Sequence, residues 1–482
     1  MTIGFEVVAA RAAGAEPRPT LRVAFVPQGS AIPDAAAARA YAADGLTGKL
    51  HETLLAPGEP DELWVGIGPS AELTADVVRR ALGKTGSRLV RRVAVEVLLP
   101  AVPETAALVE AAVDGVMLGS YAFDRYRTRD VEPARLERVR LVLPEGQSAD
   151  GLDEIARRAA VAAAAERWAR DLVNTPALDM VPEQLAVEAE GLASSLGLTA
   201  TVWREAELER QRCGGVIGVG QGSVHPPRLI QLAYAAGDGP VVALVGKGIT
   251  FDAGGTSVKK DEDQEWMKAD MAGAAAVLAA VKGVAELQLP VNVVGVVAAA
   301  ENLTGPTAIR PGDVLRLRSG LTCEVINTDY EGRVVLADAL DVARDRGAAA
   351  AISMGTLTGG GMVGLGLDIT PVMGTDAGVV RGVLEAGRAV GQPCWEYPLW
   401  TRYRREIESR VADLKNVPGP WAASITTALF LREFVGDVPW AHLDIAGTAW
   451  APEDGELWTT GATGIPTRTL IRFLADRVPT AT

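Results

Sequence analysis

Short, almost unbroken apolar runs alternate with longer alanine-rich stretches along this chain. Residues 1–148 carry LRVAFVP, ELWVGIG and RRVAVEVLLP between alanine-rich segments, a pattern that predicts an N-terminal α/β domain. From Ser148 to Val173 the segment SADGLDEIARRAAVAAAAERWARDLV is dense in strong helix formers and stops at Asn174-Thr175-Pro176, which predicts a connecting helix over 149–175. Beyond it, VVALVG, VNVVGVVAA, CEVINTD, AAAISMGT and WAHLDIAG read as strands, with helices such as MAGAAAVLAAVKGVAEL between them. Near-continuous apolar strands joined by crossover helices predict a largely parallel central sheet, buried on both faces, in a C-terminal domain over 176–482. Ligands of such sheets gather at the carboxyl ends of the strands.

Composition narrows the function classes. A chain of 482 residues with a net charge of −14 holds two domains with a sizeable core and disfavours nucleic acid or anionic lipid as a partner. Cys213, Cys323 and Cys394 form no CxxC pair and read as free thiols of a reducing compartment. The opening residues lack the apolar centre of a secretory signal and no run of eighteen apolar residues occurs, so a soluble cytoplasmic protein is expected. Only eight of the 47 basic residues are lysines, and Lys247, Lys259, Lys260 and Lys268 crowd into 22 positions. In an arginine-rich chain, Lys247 and Lys259 suggest a need for a compact ammonium or for an amine that can become a ligand. Lys260 and Lys268 read as a solvated basic face.

The charged positions that interrupt the apolar pattern carry the candidate chemistry. Lys247 follows the strand VVALVG, and the glycine-rich loop after it bears Asp252 and then Lys259. Val241 and Gly248 stand where a phosphate loop needs glycine and Ser or Thr, and Gly218, Gly220 and Gly222 are mis-spaced for a dinucleotide fingerprint. Asp270 enters the first turn of an apolar helix, Asp329 ends the strand CEVIN, and Glu331 opens the helix VVLADALDVAR. Each acid alone is a helix or strand cap. Four carboxylates and two lysines converging on neighbouring strand ends are tolerable in a core only when paired or coordinated. The candidate ligand set is therefore Asp252, Asp270, Asp329 and Glu331, with Lys247 as a further donor. With only His51, His225 and His442 present, a His-Glu-x-x-His zinc site is excluded. Bridging carboxylates can hold two divalent ions roughly 3.5–4 Å apart, the arrangement of hydrolytic two-metal sites.

VGKGITFDAGG, MKADMAGAAAV, NTDYEGR, TLTG at 356–359, ADLKN at 412–416 and WAHLDIAGTAW closely resemble the leucyl aminopeptidases, the cytosolic exopeptidases of the peptidase M17 type. The likeness runs over roughly residues 165–475, in order; the N-terminal part matches weakly. It implies a macro-like N-terminal α/β domain and a zinc-peptidase-like α/β/α catalytic domain. It also implies that Asp252 and Glu331 bridge two ions, zinc or manganese first and magnesium or cobalt as alternatives. Lys247 and Asp270 would complete one ion, and Asp329, through its carboxylate and carbonyl, the other. Lys259 would polarise the scissile carbonyl, and Arg333 would hold a bicarbonate that relays a proton from the water nucleophile. Backbone at Gly332 and Leu357 would help seat that anion, while Met267, Thr356 and Gly359 would line the pocket for the first side chain. Peptides with a free N-terminus as substrates and a homohexameric assembly follow from the same likeness.

The chain departs from the family pattern at Tyr330, in place of a small alanine, at Ala253 for serine, at Lys260 for proline and in the loop DEDQEW. The phenol of Tyr330 is expected to narrow or redirect the cleft. A catalytically impaired scaffold on the same fold is the alternative reading. Retention of the five ligand positions with Lys259 and Arg333 speaks against it, because an idle site would bury unpaired charge.

Overall fold

The computed structural model describes residues 3–10, 19–30, 46–129, 131 and 133–478, and its chain divides into two compact units. The first comprises 1–164 together with 453–460, and the second 165–452 together with 461–482. The helix Leu152–Asn174 runs across the division at 164/165, so the boundary falls inside a helix rather than in a linker.

In the first unit, six strands form a sheet in the order β1 (Gly4–Val8), β6 (Arg138–Val142), β5 (Ala94–Leu98), β2 (Leu21–Val26), β4 (Asp61–Gly66) and β3 (Thr53–Ala56). All pairings but β3–β4 are parallel. Its main core joins Val23, Leu63 and Val97 to Leu82, Leu108 and Leu118 of the helices Ala75–Leu89 and Thr105–Gly119. Leu457, from the returning segment 453–460, belongs to this same core.

In the second unit, eight strands follow the order β15 (Cys394–Glu396), β14 (Thr370–Gly374), β17 (Trp440–Asp444), β13 (Ala350–Gly355), β9 (Val241–Asp252), β10 (Asn292–Asn302), β8 (Arg228–Ala235) and β7 (Thr199–Trp203). The central four, β17, β13, β9 and β10, are parallel and buried, as their continuous apolar runs require. The edges are mixed: β14 pairs antiparallel to β17, and β8 antiparallel to both β10 and β7. The helix Ala272–Glu286 is buried along nearly its whole length, and Gly332–Asp345 contributes Val334, Leu336 and Leu340 to the core.

One predicted strand is corrected. CEVINTD does not join the main sheet: only Thr322–Glu324 (β12) is extended, in a small three-stranded sheet with β11 (Val314–Arg316) and β16 (Leu414–Lys415). Asn416 and Asp313 take the backbone groups that a strand neighbour would otherwise satisfy. Asn416 Oδ1 accepts from Ile326 N at 2.8 Å, and the Asp313 carbonyl from Val325 N at 2.9 Å. Asp329 therefore sits in a loop, five residues past the strand.

Candidate metal and anion site

The twelve residues singled out in the sequence, Lys247, Asp252, Lys259, Met267, Asp270, Asp329, Glu331, Gly332, Arg333, Thr356, Leu357 and Gly359, line one cavity of ≈ 310 Å³ in the second unit. Lys247 projects from the middle of β9 and Asp252 ends that strand. Beyond Asp252 the chain turns through Gly254 at φ +87°, where a Cβ would also meet the Ser257 carbonyl oxygen at 2.4 Å. Gly254 N and Asn302 Nδ2 each donate to Asp252 Oδ1 at 2.8 Å, which leaves Oδ2 facing Lys259 Nζ at 3.0 Å. Asp270 lies on a single 3₁₀ turn, Met267–Met271, that precedes the helix Ala272–Glu286, rather than within the helix itself. Glu331 is the N-cap of Gly332–Asp345. A Cβ on Gly332 would meet Lys247 Cε at 2.6 Å, so only glycine lets the lysine stem pass the helix start.

Two lysines divide the acids between them. Lys247 Nζ lies 2.8 Å from Asp270 and 2.7 Å from Glu331 and donates to the Thr356 carbonyl at 3.1 Å. Lys259 pairs with Asp252 and Asp329. One carboxylate oxygen from each of Asp252, Asp329 and Glu331 falls within 4.8 Å of the other two, while Asp270 reaches the group through Lys247. Burial opposes the charge on both lysines, but the surrounding carboxylates outweigh it and hold both ammoniums above their ordinary range. Burial, with Glu331 and Asp270 close by, pushes Asp252 well above the usual carboxylate range, and burial lifts Asp270 to about 7. Glu331 is also pushed up by burial, yet Lys247 and Lys259 reverse this and leave it low. The four carboxyl groups outnumber the two ammoniums, and the acids left without full compensation are the ones that burial drives toward the protonated form. Hard oxygen donors in such an excess fit divalent cations.

Arg333, on the first turn of Gly332–Asp345, is 1 % exposed, and its Nη1 has no hydrogen-bond partner among the described residues. Burial lowers its pKa to about 10. A buried, charged guanidinium with a free N–H beside a cavity is suited to an oxyanion.

Several residues that shape the site were missed in the sequence. Asp444, at the end of β17, accepts from Leu357 N and Thr358 N at 3.2 Å each and so fixes the loop after β13. The fragment WAHLDIAG contained Asp444, but nothing in the sequence paired it with residues 86 and 87 positions away. Asn302 was signalled only by its place at the end of a strand. Trp266, Met362, Ala446, Ala449 and Trp450 complete the apolar wall of the cavity. Lys268 corrects the expectation of a solvated face. Its Nζ is partly buried, donates to the Asn174 carbonyl at 2.9 Å and lies 5.7 Å from the Trp450 ring. Cys213 and Cys323 are buried free thiols, and Cys394 is a half-buried one.

Comparison with known proteins places this architecture among the peptidases. Residues 167–471 match the family model "Cytosol aminopeptidase family, catalytic domain", and 24–130 match that family's N-terminal domain. A probable cytosol aminopeptidase of Geotalea uraniireducens is 42% identical over 419 residues, 86% of this chain and 84% of that one. Its counterpart in Geobacter sulfurreducens is 44% identical over 422 residues, with the same two shares covered. Among solved structures, the bottromycin maturation enzyme BotP in complex with Mn superposes with a TM-score of 0.87 at 33% identity, covering 95% of this chain and 100% of that one. The fold and site thus define a peptidase of the hydrolase class. This chain belongs to the cytosol aminopeptidase family, the M17 or leucyl aminopeptidase family that its motifs resemble.

Proposed function

We propose that this chain is a metal-dependent aminopeptidase that removes N-terminal residues from peptides with the help of two divalent cations. The observation that carries the proposal is that three buried carboxyl groups, Asp252, Asp270 and Glu331, and the half-buried Asp329 share one cavity with only two lysines. Asp252 and Glu331 would be shared between the ions, with Lys247 and Asp270 on one side and Asp329 on the other. When bound, the ions supply Lewis acidity toward a water and the scissile carbonyl. Manganese is supported by the bound Mn of the BotP structure, with zinc, magnesium and cobalt as alternatives.

The chain's own groups complete the chemistry. The Lys259 ammonium would donate to the oxygen of the scissile carbonyl as negative charge develops there. Arg333 would hold a bicarbonate, seated also by backbone at Gly332 and Leu357, as a proton relay. Met267, Thr356 and Gly359 would receive the first side chain of a substrate whose free amino group is bound at the acidic cradle. A cytoplasmic homohexamer with the catalytic unit beyond the helix Leu152–Asn174 completes the reading; among the described residues, no helix is long and apolar enough to cross a membrane.

Hydrolysis of a panel of aminoacyl amides by chelated and metal-reloaded protein tests this proposal. Activity should vanish with chelation, return with manganese or zinc, and be absent on N-acetylated substrates. Turnover indifferent to chelation would overturn it.

A further inference from the structure

Tyr330 lies between two of the acids, where the family pattern has a small residue, and its phenol is expected to narrow or redirect the cleft. The structure gives its ring a more definite place. The ring centroid lies 4.8 Å from Arg333 Cζ, within the range of a cation–π contact. Arg333 forms no ion pair among the described residues; the Tyr330 ring face supports its buried guanidinium, and the more distant charges of Asp444 and Glu331 favour it as well. The Tyr330 backbone is itself fixed: its N–H donates to the Asn327 carbonyl at 3.3 Å, and its carbonyl accepts from Asn416 Nδ2 at 3.4 Å. Both Tyr330 and Arg333 line the cavity.

Arginine is ordinarily oriented by a carboxylate, which would occupy the N–H groups that an incoming oxyanion needs. A ring face orients the guanidinium without consuming any of its in-plane donors. We propose that Tyr330 is a positioning residue for Arg333, a platform on which the guanidinium lies so that its in-plane N–H groups stay unclaimed for an oxyanion in the cavity. This inference rests on the reading of Arg333 as the anion-holding group. It requires an aromatic face at position 330, not a hydroxyl and not bulk alone.

The test is calorimetric titration of bicarbonate into the manganese-loaded protein, with the bicarbonate dependence of kcat measured alongside. Tyr330→Phe should bind bicarbonate as the unaltered protein does. Tyr330→Leu, of comparable bulk but without a ring face, should bind it at least tenfold more weakly and need correspondingly more bicarbonate for half-maximal rate. Arg333→Met should show no binding. Thermal unfolding without anion identifies folded variants, and Tyr330→Ala replaces the leucine variant if that one fails to fold. Equal affinity in the phenylalanine and leucine or alanine variants, with loss in Arg333→Met, would overturn the platform alone. Equal affinity in Arg333→Met, or no binding by the unaltered protein, would overturn the underlying anion reading and the platform with it.

Discussion

Lys247 has two calls on its nitrogen. As an ammonium it neutralises Asp270 and Glu331; as a ligand it must first give up its proton. Because the carboxylates hold it above the ordinary lysine range, metal binding has to displace that proton, so manganese uptake near pH 7.5 should release protons. Calorimetry in buffers of different ionisation enthalpy would count them, and a count of zero would remove Lys247 from the ligand set. Lys259→Met should lower kcat by about 100- to 1,000-fold, the usual cost of losing an oxyanion donor, while leaving bound manganese unchanged by elemental analysis. Asp252→Asn should instead reduce the metal bound per chain along with turnover. The individual acids were legible because charge in an apolar run is conspicuous. Their supports were less so. Asn302 and Asp444 act across 50 and 86 residues or more, and Tyr330 acts through the orientation of a ring, neither of which a local pattern encodes.

At the level of elements, the central parallel strands followed from their unbroken apolar runs, whereas the edges did not. β14 and β8 are as apolar as their neighbours, so hydrophobicity could not reveal their reversed direction. CEVINTD misled for a related reason: its alternation suits a strand, but side chains rather than a neighbouring strand satisfy part of its backbone. The long strand β10 carries Asn302 at its end, and Asn302→Ala should weaken manganese binding by about 10- to 100-fold, the range for a residue that orients a metal ligand. Equilibrium dialysis would measure this. On β17, His442 faces Ser353 Oγ at 2.9 Å, and Trp440 Nε1 donates to the same hydroxyl at 3.0 Å. Burial lowers the His442 pKa to about 3. Between that value and the roughly 6.5 of an unfolded histidine, the unfolded chain binds the extra proton, so this contribution to stability is complete above pH 6.5 and is lost as pH falls. The slope is on the order of 1.4 kcal/mol per pH unit. Denaturant titrations of the unaltered protein and His442→Asn should diverge by about 2 kcal/mol between pH 6 and 4.5; parallel curves would refute it.

For the whole molecule, a ligand that binds only the folded state stabilises it by mass action. Manganese at about 100 times its dissociation constant should add about 2.7 kcal/mol for each occupied site, raising the unfolding temperature of the chelated protein. A thermal scan with and without manganese would show it, and an unchanged midpoint would count against any metal site. The α/β class and the family were legible at this scale from apolar periodicity and from motifs spread over two thirds of the chain. The course of the chain between units was not. Nothing in the composition of residues 453–460 distinguishes them from a surface loop, yet they return to the first unit and place Leu457 in its core.

That return gives the molecule an order of assembly. On the ribosome, the amino-terminal unit emerges first but lacks one of its own interior side chains until more than nine-tenths of the polypeptide has been made. A nascent chain halted just past residue 164 should therefore be more readily cut by protease than the same residues in the finished protein. The core of the first unit is thus complete only once the last tenth of the chain is present.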